Sequence, residues 1–136
     1  MSNAAAATAP GWYFKPNSEH RQPEVYGGEA FIDKYGCVYL GSSEEKVIYL
    51  TFDAGYENGN VEKTLDVLKR QEVPGTFFIL PNLVKSNTAL VKRMHEEGHL
   101  VGNHSYSHKN MSNMPFEAFE KEITDLEALY AEYTGY

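Results

Sequence analysis

The chain has 136 residues, enough for one domain with a hydrophobic core, and its 42% apolar and 13% aromatic content argues against disorder. The formal net charge is −7 and the basic residues are scattered, so no positive patch indicates nucleic acid or an anionic membrane surface. Cys37 is the only cysteine, which excludes an internal disulfide and a cysteine-based zinc site.

The first 45 residues show no regular hydrophobic period. Residues 1–10 lack the basic and apolar regions of a signal peptide and are interpreted as an expression tag or flexible lead-in. Residues 11–45 carry a Gly-Gly pair, prolines and several aromatics, which predicts an irregular N-terminal arm that packs onto a neighbouring domain. Within this arm, residues 37–40 are a candidate short strand.

A regular pattern begins at Lys46 and predicts a partial domain over residues 46–136. Residues 46–52, KVIYLTF, are a nearly continuous apolar run, as expected for a strand buried on both faces. Residues 60–71 have apolar positions at helical spacing, and residues 75–80, GTFFIL, predict a second buried strand.

The second half of this region continues the alternation. Residues 87–97 predict a helix that ends at Gly98, and residues 99–103, HLVGN, predict a third strand. A last helix is predicted from about Pro115, with an apolar stripe formed by Phe116, Phe119, Ile123, Leu126, Tyr130 and Tyr133.

The alternation of strands and helices predicts parallel strands joined by helical crossovers, hence an α/β sheet or barrel. Three such units alone would leave the third strand as an open apolar edge, which proteins normally avoid. We therefore expect a truncated chain, either half of a barrel or a piece that needs a partner.

Residues 95–108, HEEGHLVGNHSYSH, contain four histidines and a literal H-E-x-x-H. A zinc peptidase would need His95 and His99 on one helix face with Glu96 as base. The helical pattern ends before His99, so the two imidazoles would diverge. The sequence thus favours a surface His95 and treats His99, like His20, as a structural or surface residue.

His104 and His108 form a better candidate pair, because they lie just past the carboxyl end of a predicted strand, where parallel α/β folds place their sites. Asp53, in TFDAGYENG, follows another predicted strand in the same way. A carboxylate and two imidazoles at neighbouring strand ends favour a metal-dependent hydrolase. The alternative is a pair of surface-loop histidines and a turn or helix-capping aspartate.

TFDAG, GTFFIL and EEGHLVGNHSYSH together resemble the polysaccharide deacetylases of the NodB homology type over residues 46–136. The longer TFDAGYENG, with the upstream GWYFKPN and QPEV segments, is similar to the delta-lactam-biosynthetic de-N-acetylase branch. The resemblance implies a distorted (β/α) barrel, export to the bacterial cell envelope, and removal of N-acetyl groups from muramic acid in the peptidoglycan of sporulating cells.

By position in the motifs, the resemblance implies that Asp53 is the catalytic base and that His104 and His108 are metal ligands. The implied cofactor is a divalent metal, zinc first, with manganese and cobalt as alternatives. Asn103 is a candidate for orienting an imidazole, and Tyr106 is a candidate sugar contact or a packing residue.

The chain departs from the family pattern at Ala54, where the family has an aspartate that binds the metal. Water, Asp53 itself, Glu57 or Asn58 are the open alternatives for the missing ligand. The resemblance also implies that an Arg-Pro-Pro segment and a general-acid histidine lie beyond Tyr136, so this chain is expected to hold half of an active site. Its partners are then an N-acetylated glycan and the C-terminal half of the barrel.

Two other functions stay open from the sequence. A glycan-binding module of the same fold would bind saccharide without releasing acetate. A metal-dependent amidase acting on another small amide would turn over its substrate without a glycan chain.

Overall fold

A computed structural model describes residues 12–27 and 29–136. The predicted tag or lead-in over residues 1–10 lies outside the described residues. The chain divides into two compact units, the first ending at Ile48 and the second spanning Tyr49–Tyr136.

The first unit contains a small antiparallel hairpin and one short helix. Strands β1 (Tyr13–Lys15) and β2 (Glu24–Tyr26) pair with each other, and helix α1 (Glu29–Tyr35) follows. The connecting turn is organised by Asn17, whose Nδ2 donates to the Arg21 carbonyl at 3.0 Å and whose Oδ1 accepts from the Arg21 amide at 3.2 Å. Such bonding between a side chain and nearby backbone creates a turn without any hydrophobic period, which is why hydrophobic periodicity did not predict this hairpin.

The candidate strand at residues 37–40 is wrong. These residues have no strand structure, and Val38 is 90% exposed. Within the described part of the first unit, only β1 and β2 pair as strands. A strand needs a neighbouring strand to satisfy its backbone groups, so a short apolar run is not sufficient.

The second unit is built on a parallel sheet of three strands, which confirms the predicted α/β fold. Strands β3 (Thr51–Ala54), β4 (Thr76–Ile79) and β5 (Leu100–Asn103) lie in the order β3-β4-β5. Both neighbouring pairs are parallel.

Four helices connect and follow these strands. Helix α2 (Asn60–Gln71) lies between β3 and β4; α3 (Pro81–Ser86) and α4 (Thr88–Glu96) lie between β4 and β5; α5 (Phe116–Thr134) ends the chain. The predictions of α2, α4 and α5 are confirmed, and Gly98 adopts the left-handed φ of 82° that ends α4. The sequence missed α3, because six residues are too few to show a helical period.

The core lies on one face of the sheet. Phe77 and Ile79 alternate with more exposed neighbours along β4, so both point to the same side. Residues from all four helices pack against that side; the buried cluster comprises Ala54, Leu65, Leu68, Phe77, Ile79, Leu83, Val84, Val91, Met94, Leu126 and Leu129. Among the described residues, no helix combines the length and the apolar character needed to cross a bilayer.

The prediction of a strand buried on both faces over residues 46–52 is wrong in extent and burial. The strand begins only at Thr51, while Ile48 and Tyr49 are 85% and 70% exposed. In the described part of the chain β3 has a neighbour on one side only, so its preceding residues lack the cover that the apolar run anticipated.

The predicted apolar stripe of α5 is also only partly correct. Leu126 is buried, and Leu129, which the stripe omitted, is buried beside it. Phe116 and Phe119, near the start of the helix, are 70% and 41% exposed. Their spacing matches the buried half of the helix, but no described element covers them.

Candidate metal and catalytic site

Asp53 lies on the face of the sheet opposite the core. In the strand register it pairs with Phe78, which in turn pairs with Gly102, so these three residues share one face. The Asp53 side chain is 71% exposed, and it therefore points to open space rather than into the core.

Gly102 allows β5 to lie close to an aromatic ring on this face. A Cβ atom at Gly102 would lie 2.6 Å from Cδ1 of Phe78, closer than atoms can approach. The Phe78 ring centroid is 6.4 Å from that of His104, so this ring forms one wall beside the predicted metal ligand.

The segment after β5 is a tight loop held by its own side chains. The His104 amide donates to the Ile79 carbonyl at 3.2 Å, which extends the strand pairing by one residue. Asn103 Oδ1 accepts from the Ser105 amide at 2.9 Å, and Ser105 Oγ accepts from the His108 amide at 3.1 Å. Ser105 and His108 both adopt left-handed backbone conformations, with φ of 66° and 55°.

This loop brings the two predicted ligands together. The ring centroids of His104 and His108 are 4.8 Å apart. His104 Nε2 lies 3.9 Å from Asp53 Oδ2, which is too long for a hydrogen bond but close enough for electrostatic attraction if the imidazole is protonated. Residues about 50 positions apart in the sequence thus meet at the carboxyl ends of β3 and β5.

Helix α5 contacts the same loop at two points. Asn103 Nδ2 donates to the Ile123 carbonyl at 2.9 Å. The Ser107 amide and hydroxyl each donate to one carboxylate oxygen of Glu122, at 2.6 Å in both cases. The hydroxyl and then the amide of Ser107 lower the pKa of Glu122, because both bonds favour the ionised carboxylate.

The other candidate residues have local partners. The Tyr106 hydroxyl accepts from Lys85 Nζ at 3.2 Å, which places its ring beside a cation. One carboxylate oxygen of Glu57 accepts from the Gly59 amide, while the other is buried without a hydrogen-bond partner among the described residues. Asn58 is exposed.

Ala54 cannot replace the aspartate that the family pattern has at this position. It has no donor atom, and it is buried in the core with 5% of its surface exposed. The described residues contain no group of three or more His, Cys, Asp and Glu side chains arranged to hold a metal ion. The donor set therefore fits a metal in part, with two adjacent imidazoles and one nearby carboxylate.

The H-E-x-x-H residues have separate surroundings. His95 is exposed and stacks on Tyr136 with ring centroids 3.9 Å apart. His99 is buried, and its Nδ1 accepts from the Gly75 amide at 3.1 Å. Burial lowers the pKa of His99, so its neutral form is favoured. The two imidazoles do not form a common site.

Acid and imidazole side chains at the carboxyl ends of parallel strands lie where α/β folds usually place their functional sites. The family model described as polysaccharide deacetylase matches residues 41–136. The chain belongs to the polysaccharide deacetylase family.

Two curated relatives support this membership. The chain is 42% identical to the peptidoglycan-N-acetylmuramic acid deacetylase PdaA of Bacillus subtilis over 91% of this chain and 48% of that protein. It is 45% identical to an uncharacterised 30.6 kDa protein of Geobacillus stearothermophilus, covering 91% of this chain and 47% of that protein. The chain thus spans about half the length of these relatives.

Solved structures give the same result for the fold. The structure of Bacillus subtilis PdaA, a family 4 carbohydrate esterase, matches with a TM-score of 0.85 and 41% identity, covering 92% of this chain and 54% of that one. A family 4 carbohydrate esterase from Bacillus anthracis matches with a TM-score of 0.79 and 36% identity, covering 97% and 60% of the two chains.

Proposed function

We propose that this chain supplies the Asp53, His104 and His108 half of the active site of a cell-wall glycan N-deacetylase. The substrate we propose is the N-acetyl group of muramic acid in peptidoglycan, and the place of action is the bacterial cell envelope during sporulation. The observation that carries the proposal is the meeting of Asp53 and His104, 3.9 Å apart, at the carboxyl ends of two parallel strands. The similarity to a peptidoglycan-N-acetylmuramic acid deacetylase supports the choice of sugar.

The chemistry required is the hydrolysis of an amide, which is a poor electrophile. The Asp53 carboxylate is exposed on the open face, so it can accept the proton of an attacking water. Phe78 and Gly102 share this face with Asp53, so an apolar ring lies beside the carboxylate. His104, whose amide donates to the Ile79 carbonyl of β4, has its ring beside Phe78.

The residues we propose as holders of a divalent metal are His104 and His108. Zinc is the first choice, because imidazole is a common zinc ligand, with manganese and cobalt as alternatives. When bound, such an ion would polarise the acetyl carbonyl and lower the pKa of water. Loss of the aspartate at Ala54 predicts weaker binding than three protein ligands provide.

Acetate release from peptide-free glycan strands tests this function. In the protein that also contains the C-terminal half of the barrel, we expect release that is lost on Asp53→Asn, which keeps the size of the side chain but removes the base. The matched control is Asp66→Asn, which changes an aspartate on α2 that pairs with Arg93. Release that survives in Asp53→Asn would contradict the assignment of the base.

Saccharide binding and the choice of substrate distinguish the deacetylase from the two alternative functions. Saccharide binding without acetate release would indicate a glycan-binding module. Release from a simple N-acetylated amide, at a rate equal to that from the glycan, would indicate a general amidase. The deacetylase predicts faster release from glycan strands than from N-acetylglucosamine oligomers.

A further inference from the structure

The loop that carries the two histidines, residues 104–108, has a conformation that its own sequence does not favour. Ser105 and His108 have positive φ angles of 66° and 55°, a region that residues with a Cβ atom rarely adopt. Such a backbone persists only when the surroundings fix it. The position of the imidazoles therefore depends on the hydrogen bonds that hold this backbone, both within the loop and from α5.

Glu122 on α5 provides a two-point contact of this kind. The Ser107 amide and hydroxyl each donate to a different oxygen of its carboxylate, both at 2.6 Å. Hydrogen bonds to an ionised carboxylate are shorter and stronger than those between neutral groups. Two bonds to one planar carboxylate fix the orientation of Ser107 as well as its distance.

The second contact lies at the other end of the loop. Asn103 bridges the Ile123 carbonyl at 2.9 Å and the Ser105 amide at 2.9 Å. Two consecutive residues of α5, Glu122 and Ile123, thus bind the two sides of the histidine loop. Within this loop the ring centroids of His104 and His108 are 4.8 Å apart. Glu122 makes the only charged contact described between the helix and the loop.

We infer that Glu122 is a positioning residue that fixes His108 and His104 in their ligand geometry through Ser107, and this inference rests on the proposed function of the two histidines. Removing its carboxylate leaves the Ser107 amide to water and frees the left-handed backbone at His108 to relax. Removing the outer partner of a ligand segment commonly weakens metal binding by about 10- to 100-fold.

The test uses the 136-residue chain and the variant Glu122→Ala, since Ala is the best helix former and should leave α5 intact. Amide exchange at Ser107 and the NMR resonances of the His104 and His108 rings report loop geometry without any metal. A calorimetric titration with zinc ion then reports affinity. The matched control is Asp125→Asn, which removes a carboxylate from the same helix that pairs with Lys121 instead of the loop.

We expect Glu122→Ala to speed exchange at Ser107 by about tenfold or more, to shift both imidazole resonances, and to weaken zinc binding. Glu122→Gln should be intermediate, because its amide oxygen still accepts one bond. Ser107→Ala removes the hydroxyl partner of Glu122 without changing α5. It should shift the same imidazole resonances, so the effect can be assigned to this contact even if Glu122→Ala lowers the stability of the helix.

Unchanged exchange at Ser107 and unchanged imidazole resonances in Glu122→Ala would overturn the inference. The same would follow if Asp125→Asn changed them equally, because the effect would then be general to the charge of the helix. If the parent chain failed to bind zinc while the resonances still responded to Glu122→Ala, the positioning role would stand and the metal part of the proposed function would fail.

Discussion

His99 lies immediately before β5, where its ring is buried against Phe77 at a centroid distance of 5.4 Å. Its Nδ1 accepts from the Gly75 amide, so the neutral ring is part of the packing between β4 and β5. Burial, as the largest influence, and the nearby Arg93 lower the pKa of His99, while Glu97 raises it. Protonation would remove the acceptor and place a charge in a buried site.

The stability of the chain should therefore depend on pH through His99. A histidine whose folded pKa is lowered binds fewer protons in the folded than in the unfolded state. Its contribution is present above the unfolded pKa of about 6.5 and is lost as the pH falls toward and through the folded pKa. We expect the free energy of unfolding, measured by urea denaturation, to fall from pH 7 to pH 5 with a slope of at most about 1.4 kcal/mol per pH unit from this group.

The comparison that isolates His99 is His99→Asn, since an amide oxygen can accept from Gly75 without titrating. We expect a smaller loss between pH 7 and pH 5 in this variant than in the parent. His95→Asn, which changes an exposed histidine one turn earlier, should behave like the parent. Equal pH dependence in all three proteins would show that another group is responsible.

Sequence alone could place Asp53 and His104 together, because each follows a strand of a predicted parallel sheet. It could not identify Glu122. A glutamate on the surface of a helix is ordinary, and its partner Ser107 lies in a loop whose path no periodicity predicts. The only indication in the sequence was that the loop precedes a long predicted helix.

At the scale of elements, β4 and β5 are in close contact where the Phe78 ring lies against Gly102. A methyl group at Gly102 would meet Cδ1 and Cε1 of the Phe78 ring at 2.6 and 2.7 Å, and a ring cannot give way as a flexible chain can. We expect Gly102→Ala to lower the free energy of unfolding by about 1–3 kcal/mol, as for other overpacked sites.

Gly55→Ala is the matched control for this change. Its new methyl would lie 2.7 Å from Cδ1 of Leu80, the end of a side chain that can rotate away. Urea denaturation should show a smaller loss for Gly55→Ala than for Gly102→Ala. The reverse order would contradict the close fit of Phe78 on Gly102.

The limits of sequence reasoning also show at this scale. The apolar run at residues 46–52 was expected to be buried on both faces, yet burial depends on which strands lie beside it. The first half of the α5 stripe is exposed for the same reason, since its spacing indicates an apolar face without indicating its cover. Periodicity predicted the identity of these elements and not their surroundings.

For the whole molecule, burial differs between the two units. In the first unit, none of the residues whose burial the structure describes (12–27 and 32–48) is buried, whereas the described buried cluster lies entirely in the second unit. Local opening costs least where few apolar contacts form. We expect amides of β1 and β2 to exchange with solvent faster than those of β4 under native conditions, as followed by NMR. Equal protection of β2 and β4 would contradict this order.

The fold and the number of metal ligands depend on different features of the sequence. The parallel pairing of the three strands was predictable from alternating apolar periods, whereas the single residue Ala54 decides how many protein ligands a metal can find. The chain spans about half the length of the curated relatives it matches, so its activity remains a proposal that rests on the Asp53, His104 and His108 cluster.

A calorimetric zinc titration of the chain beside its His104→Ala variant tests that cluster most directly. We predict stoichiometric binding by the parent that is lost in His104→Ala and retained in His95→Ala. Equal binding by the parent and His104→Ala, or no binding by the parent, would contradict the assignment of His104 and His108 as a metal-binding pair.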